Sequence, residues 1–255
     1  MRIVIKVGTS TLAYPTGRMN IRRVEELVKV LSDLRNAGHE VILVSSGAIG
    51  MGAGKLSLKE KPTDIPTKQA AAAVGQCELM YTYDKLFSEH NHTVAQLLMT
   101  GEDFAAPDRH DNFSNTMARL LELGVVPVIN ENDTVATEEI RVGDNDTLSA
   151  LVAVSVSADM LVLLSDIEGL YTADPHQDPQ ARLIPEIREL TEQVLALGGG
   201  AGSSLGTGGM RTKLHAAGIC MERGCDMVIA NGENPSLLYD IAEGNPVGTK
   251  FTAKK

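Results

Sequence analysis

The chain has 255 residues, 43% apolar and 22% charged, so it can bury the core of one large or two small domains and falls outside the disordered and fibrous classes. A formal net charge of −10, with no Trp and 4% aromatic residues, argues against a nucleic-acid or anionic-membrane surface. Cys77, Cys220 and Cys225 form neither a CxxC nor a Cys/His ligand pattern, which excludes a disulfide framework and a structural zinc site and makes a reducing cytoplasm the expected compartment.

Met1 and Arg2 run directly into the apolar segment 3–8, IVIKVG, leaving no room for a secretory signal. A second short run, VILVSSG, occupies 41–47. Between them Ile21, Val24, Leu27, Val28, Leu31 and Leu34 recur at the spacing of one helix face, with Asn20 placed to cap its start and Gly38 its end. Further strands are predicted at 93–99, 125–130, 160–166 and 226–231, and helices at 67–90, 115–123, 146–158 and 210–223. The apolar stretch 148–164 is broken by serines and Asp159, so it reads as a buried helix followed by a buried strand rather than a membrane span. Strands apolar on both faces and joined by helices predict an α/β fold, a three-layer αβα sandwich around a mostly parallel sheet. The segments 55–67 and 197–209 read as long connecting loops, and Cys77 and Cys220 as packing residues. The six histidines show no ligand spacing.

In such sheets ligands bind beyond the carboxyl ends of the strands, so the residues there carry the functional argument. The first strand is followed by Gly8-Thr9-Ser10 and the second by Ser46-Gly47-Ala48, small residues that turn backbone N–H groups toward a phosphate or carboxylate or simply make a tight turn. Lys6 is less ambiguous: an ammonium inside an apolar strand is costly unless something anionic meets it. The strand at 125–130 ends in the cluster Asn130-Glu131-Asn132-Asp133, and one loop later Asp144-Asn145-Asp146 stand at a helix start. Asp144 or Asp146 serves there as a helix cap; the cluster as a whole offers amides and carboxylates to the ammonium and carboxylate of an amino acid. Ser165 and Asp166 end the next strand. The run Gly206 to Lys213 is neither a Walker A loop nor GxGxxG, since Arg211 takes the third glycine position, yet a glycine loop feeding a helix start with a lysine in its first turn suits nucleotide phosphates.

Together and in this order, IKVGTS, VSSGAIG, KQAAAAVGQ, INENDTV, VGDNDTLSA, LLSDIEGLYTADP and GTGGMRTKL resemble the glutamate 5-kinase branch of the amino-acid kinase family. The resemblance covers nearly the whole chain and implies ATP-dependent phosphorylation of the γ-carboxylate of L-glutamate, the first step of proline biosynthesis. It matches Lys6 to the phosphoryl groups and Ser46, with Gly47 beside it, Asp133 and Asn145 to the amino acid. A carboxylate acceptor needs no general base, so the chemistry of the transfer assigns catalytic charge stabilisation to Lys6 and Lys213, with Asp144 and Asp146 as the residues that place either the lysines or the ion. Lys6, Gly8, Ser165, Asp166, Thr207, Gly208, Gly209, Met210, Arg211, Thr212 and Lys213 are placed on the nucleotide. It implies ATP with Mg²⁺ held by the phosphates rather than by protein ligands, a homo-oligomer (dimer or tetramer), and feedback inhibition by proline. A single catalytic domain is expected, amino-acid-binding over roughly 1–150 and nucleotide-binding over 151–252, without the PUA-type domain that many members append. Aspartate, acetylglutamate and carbamate kinases and a non-catalytic amino-acid sensor are the competing readings.

Overall fold

A computed structural model of the chain describes residues 1–14, 16–136, 144–175, 177–199 and 209–254. The β-branched runs form strands and the periodic segments between them form helices, in an alternating order. β1 (Arg2–Val7) is followed by the single turn α1 (Thr9–Leu12), then α2 (Ile21–Asn36) and β2 (Glu40–Ser45). Asn20 caps α2 as expected, its side chain accepting from the N–H of Arg23, and Gly38 takes the positive φ that stops it. Next come α3 (Ala48–Lys55), α4 (Ile65–Ser88), β3 (Val94–Met99), α5 (Gly101–Ala105), α6 (Pro107–Glu122) and β4 (Val126–Glu131). The remainder is α7 (Asn145–Ser155), β5 (Met160–Ser165), β6 (Glu186–Ile187), α8 (Glu192–Ala196), α9 (Met210–Glu222), β7 (Asp226–Asn231), α10 (Leu237–Glu243) and β8 (Thr249–Phe251).

Among the described residues eight strands make one sheet in the order β3-β4-β2-β1-β5-β7-β8-β6, parallel except where β7 meets β8. Apolar side chains leave both faces and form two cores. Ile3, Ile5 and Val7 of β1 pack with α2 and α4, whereas Val4 packs on the opposite face with α6, α7 and α9. The expected three-layer α/β architecture is therefore present. Because side chains alternate along a strand, Lys6 shares the face of Val4 and points under α7 and α9. From β1 the chain crosses to β2 on one side and later returns to β5 on the other, so the carboxyl end of β1 is a topological switch point.

Several expectations need correction. The helix expected at 115–123 begins at Pro107, where proline occupies the first turn that tolerates it and Arg109 and His110 continue the helix. Gly50, Gly52 and Gly54 are helical: residues 48–55 form α3, and the connection to α4 shortens to 56–64. Cys77 is exposed on α4 rather than packed, while Cys220 is buried. The two- and three-residue strands β6 and β8 had no counterpart in the sequence pattern. Of the loop expected at 197–209, residues 197–199 form a short 3₁₀ turn and 200–208 lie outside the described residues.

Candidate functional site

Lys6, Asp146 and Lys213 meet at the carboxyl end of β1. Asp146 lies in the first turn of α7 and is 1% exposed; Lys6 and Lys213 are almost as deeply buried. Lys6 Nζ lies 2.7 Å from Asp146 Oδ1, and Lys213 Nζ donates to Oδ2 at 3.1 Å. Thr212 Oγ1 also donates to Oδ2, at 2.8 Å. One carboxylate thus holds two ammonium groups, one on each oxygen. Burial alone would push its pKa up, but the charges of Lys6 and Lys213 and the hydrogen bonds from Lys6 and Thr212 overcome this and hold it at about 2. The carboxylate stays ionised and the three charges leave a net positive centre under two helix N-termini.

The neighbouring acid does something else. Asp144 accepts from the N–H of Thr147 at 2.8 Å and from its hydroxyl at 3.2 Å, the geometry of a helix N-cap. Two residues apart, one aspartate closes the helix and the other points into the site.

Beside this cluster runs a chain of amides. Asn145 Nδ2 donates to Ser46 Oγ at 2.7 Å and to Asn130 Oδ1 at 3.0 Å, joining the starts of α3 and α7 to the end of β4. Asn130 Oδ1 also accepts the backbone N–H of Glu131 at 2.8 Å, and Asn130 Nδ2 donates to Gln76 Oε1 at 2.9 Å. Asn145 Oδ1 and Gln76 Nε2, both shielded from solvent, meet no partner among the described residues. Gly47 enters α3 with φ +106°, a conformation that favours glycine, and so turns the chain sharply after Ser46.

Ser165 and Asp166 sit at the end of β5, the hydroxyl donating to the carboxylate at 3.1 Å. Gly8 follows β1, and a Cβ on it would lie 3.7 Å from Lys6 Nζ. Asp133 stands in the turn after β4. Gly209 caps α9, which places Met210 and Arg211 in its first turn ahead of Thr212 and Lys213. Thr207 and Gly208 lie outside the described residues. The structure thus joins Lys6, Asp146, Thr212 and Lys213 in one cluster and Ser46 with Asn145 in an adjoining one. The sequence marks Asn130 only as a member of the polar cluster offered to an amino acid, and gives Gln76 no role. Asn130 lay in a polar motif after a strand, whereas an amide in the alanine-rich α4 gave no such signal.

A buried pair of lysines braced on a carboxylate thus lies at the switch point of a parallel sheet, beside a run of hydrogen-bonded amides, an arrangement that suits small anionic ligands. A family model described as the amino acid kinase family matches residues 1–231, and the chain belongs to that family. Within it the chain groups with the glutamate 5-kinases. That of Listeria innocua is 53% identical over all of this chain and 94% of its own length, and that of Clostridium perfringens is 51% identical over all of this chain and 96% of its own. That of Carboxydothermus hydrogenoformans is 55% identical, with 68% of its length covered. Among solved structures, carbamate kinase from Giardia lamblia bound to AMP-PNP superposes with a TM-score of 0.68 at 18% identity, covering 99% of this chain and 98% of that one. UMP kinase from Ureaplasma parvum superposes with a TM-score of 0.67 at 15% identity, with 98% of each chain covered. These two establish the shared fold.

Proposed function

We propose that the chain is an ATP-dependent kinase that transfers a phosphoryl group to the γ-carboxylate of L-glutamate, giving L-glutamyl 5-phosphate for proline biosynthesis. The observation that carries this reading is the pair of buried lysines held on the two oxygens of Asp146. The glutamate 5-kinases at 51–55% identity supply the acceptor.

A side-chain carboxylate is already ionised at neutral pH, so the acceptor needs no general base. What the transfer requires is alignment and neutralisation of charge on the transferred group's oxygens. Lys6, reaching up from β1, and Lys213, reaching across from α9, supply that charge from two directions, and the backbone N–H of Gly8 adds a donor. Asp146 is a positioning residue: it fixes the separation of the two ammonium groups before substrate arrives, so the reorganisation cost is met during folding. Ser46, Gly47, Asp133 and Asn145 hold the amino acid. Ser165, Asp166 and the segment from Thr207 to Thr212 hold the nucleotide.

Both oxygens of Asp146 are committed to Lys6, Lys213 and Thr212, so the cluster suits phosphate oxygens rather than a bare cation. Mg²⁺ would therefore ride on the ATP phosphates, where it supplies further neutralisation. Proline, sharing the ammonium and α-carboxylate of glutamate, would compete for the same amides, and the working enzyme would be a homo-oligomer.

The test is an ATP assay with hydroxylamine trapping. Glutamate should give ATP-dependent hydroxamate, while aspartate, N-acetylglutamate and carbamate give at most a few per cent of that signal. Glutamate binding without hydroxamate would instead establish a sensor, and preference for another acceptor would move the chain to a different branch of the family.

A further inference from the structure

The amide chain beside the lysine cluster has a fixed polarity. A backbone N–H can only donate, so the N–H of Glu131 determines that the atom of Asn130 facing it is Oδ1. The other end of the Asn130 amide, Nδ2, then donates to Gln76, which must present Oε1 to it. Gln76 Nε2, a donor with two protons, is left buried and without a partner among the described residues. In the opposite direction Asn145 spends both N–H groups on Asn130 Oδ1 and Ser46 Oγ, so the atom left over is the acceptor Oδ1. One main-chain amide therefore dictates that the chain ends in a donor at Gln76 and an acceptor at Asn145. Buried polar atoms are rarely left unmatched unless a ligand completes them.

An α-amino acid carries the complementary pair, a donor-only ammonium and an acceptor-only carboxylate. We propose that Gln76 is a specificity-determining residue for the amino-acid substrate, its Nε2 donating to the α-carboxylate while Asn145 Oδ1 accepts from the α-ammonium. The inference rests on glutamate being the acceptor. It follows that the γ-carboxylate extends from Asn145 toward the adjacent Asp146 and its two lysines, where phosphoryl transfer takes place. Gln76 is well placed for this: it is 7% exposed, and its neighbour Gly75 lies against the carbonyl of Ala48, which pins this part of α4 beside the start of α3.

The α-carboxamide of glutamate discriminates this role from a structural one. It keeps the ammonium and the γ-carboxylate but removes the α-carboxylate's charge and replaces one of its two acceptor oxygens with a donor. The wild-type protein should show kcat/KM lower by about 100-fold or more for the α-amide than for glutamate. Gln76→Glu still accepts from Asn130 but places an oxygen where Nε2 was. It should raise the KM for glutamate about 10-fold or more, raise the α-amide-to-glutamate ratio of kcat/KM by a similar factor, and change the KM for ATP by less than about 2-fold. Gln76→Met, which removes the donor without adding an acceptor, should move the ratio in the same direction and serves if the glutamate variant does not fold. Equal use of both substrates by the wild type overturns the proposal. So does an unmoved ratio in a variant that still turns over glutamate, which would leave Gln76 as a brace for Asn130. Loss of glutamate-dependent hydroxamate in the wild type itself overturns the glutamate assignment and this inference with it.

Discussion

Lys6 is a buried cation that the sequence already showed to be in need of a counter-charge. Its strand is apolar on both sides, so an ammonium there implied an anion that sequence could not identify. Asp144 and Asp146 both open the same helix, and helix-capping preference applies to either; only the backbone of α7 shows that Asp144 reaches Thr147 while Asp146 points to Lys6 and Lys213. The pairing joins residues far apart in the chain, which no local pattern encodes. Gln76 was hidden for a related reason: its partners come from a strand more than fifty residues further on. The chemistry at this scale makes a direct prediction. Lys6→Ala and Lys213→Ala should each lower kcat by about 100-fold or more, because each removes one of two charges that stabilise the transferred phosphoryl group, while glutamate affinity changes less. Steady-state kinetics at saturating ATP check this, and near-wild-type kcat in both variants would remove the lysine pair from catalysis.

The elements were legible where their pattern was long enough. Six parallel strands and the main helices appear as apolar runs and helical periodicity, with boundaries displaced by one or two residues in most cases. β6 and β8 are too short to have a period, and α3 was obscured because its glycines also fit a phosphate-binding turn. Those glycines prove to be packing devices. A Cβ on Gly52 would sit 1.7 Å from the Ala71 carbonyl oxygen, and one on Gly75 1.8 Å from that of Ala48, so α3 and α4 cross with their backbones touching. The crossing sets where Ser46 and Gln76 stand relative to each other. Gly75→Ala should therefore force the helices apart, lowering Tm by about 5 °C or more and raising the KM for glutamate. Gly218→Ala on α9 is the contrast: its Cβ would meet only Leu190 at an ordinary 3.5 Å. Alanine is the better helix former, so this variant should gain up to about 1 kcal/mol. Thermal melts of the two variants side by side decide the matter. A sequence reading sees two helical glycines and cannot tell these cases apart, because the sign of the effect lies in the neighbouring helix.

For the whole molecule, a net charge of −10 surrounds the proposed site, which on that reading has two anionic substrates to attract. The attraction is confined to a few buried cations and oriented amides, shielded from salt better than surface charges are. The same cluster contributes to global stability. With its native pKa held at about 2 against an ordinary 3.8, Asp146 binds a proton less readily folded than unfolded. Its contribution is on the order of 2 kcal/mol, fully present above about pH 4 and lost as pH falls toward 2. In urea titrations between pH 6 and 2.5, the stability gap between the wild type and Asp146→Asn should narrow across the acid end of that range. A gap that stays constant would mean that the carboxylate's charge is not what the fold uses.

The bracing of Lys6 on Asp146 also has a consequence for biosynthesis. β1 leaves the ribosome first, with its lysine already in place, but its counter-charge arrives only with α7 and its second neighbouring strand only with β5. Until then the sheet has an open flank and an uncompensated charge at its centre, so the nascent amino-terminal part has reason to remain unconsolidated. Completion of the core around β1 and the meeting of Lys6 with Asp146 thus wait on the same late segments, α7 and β5.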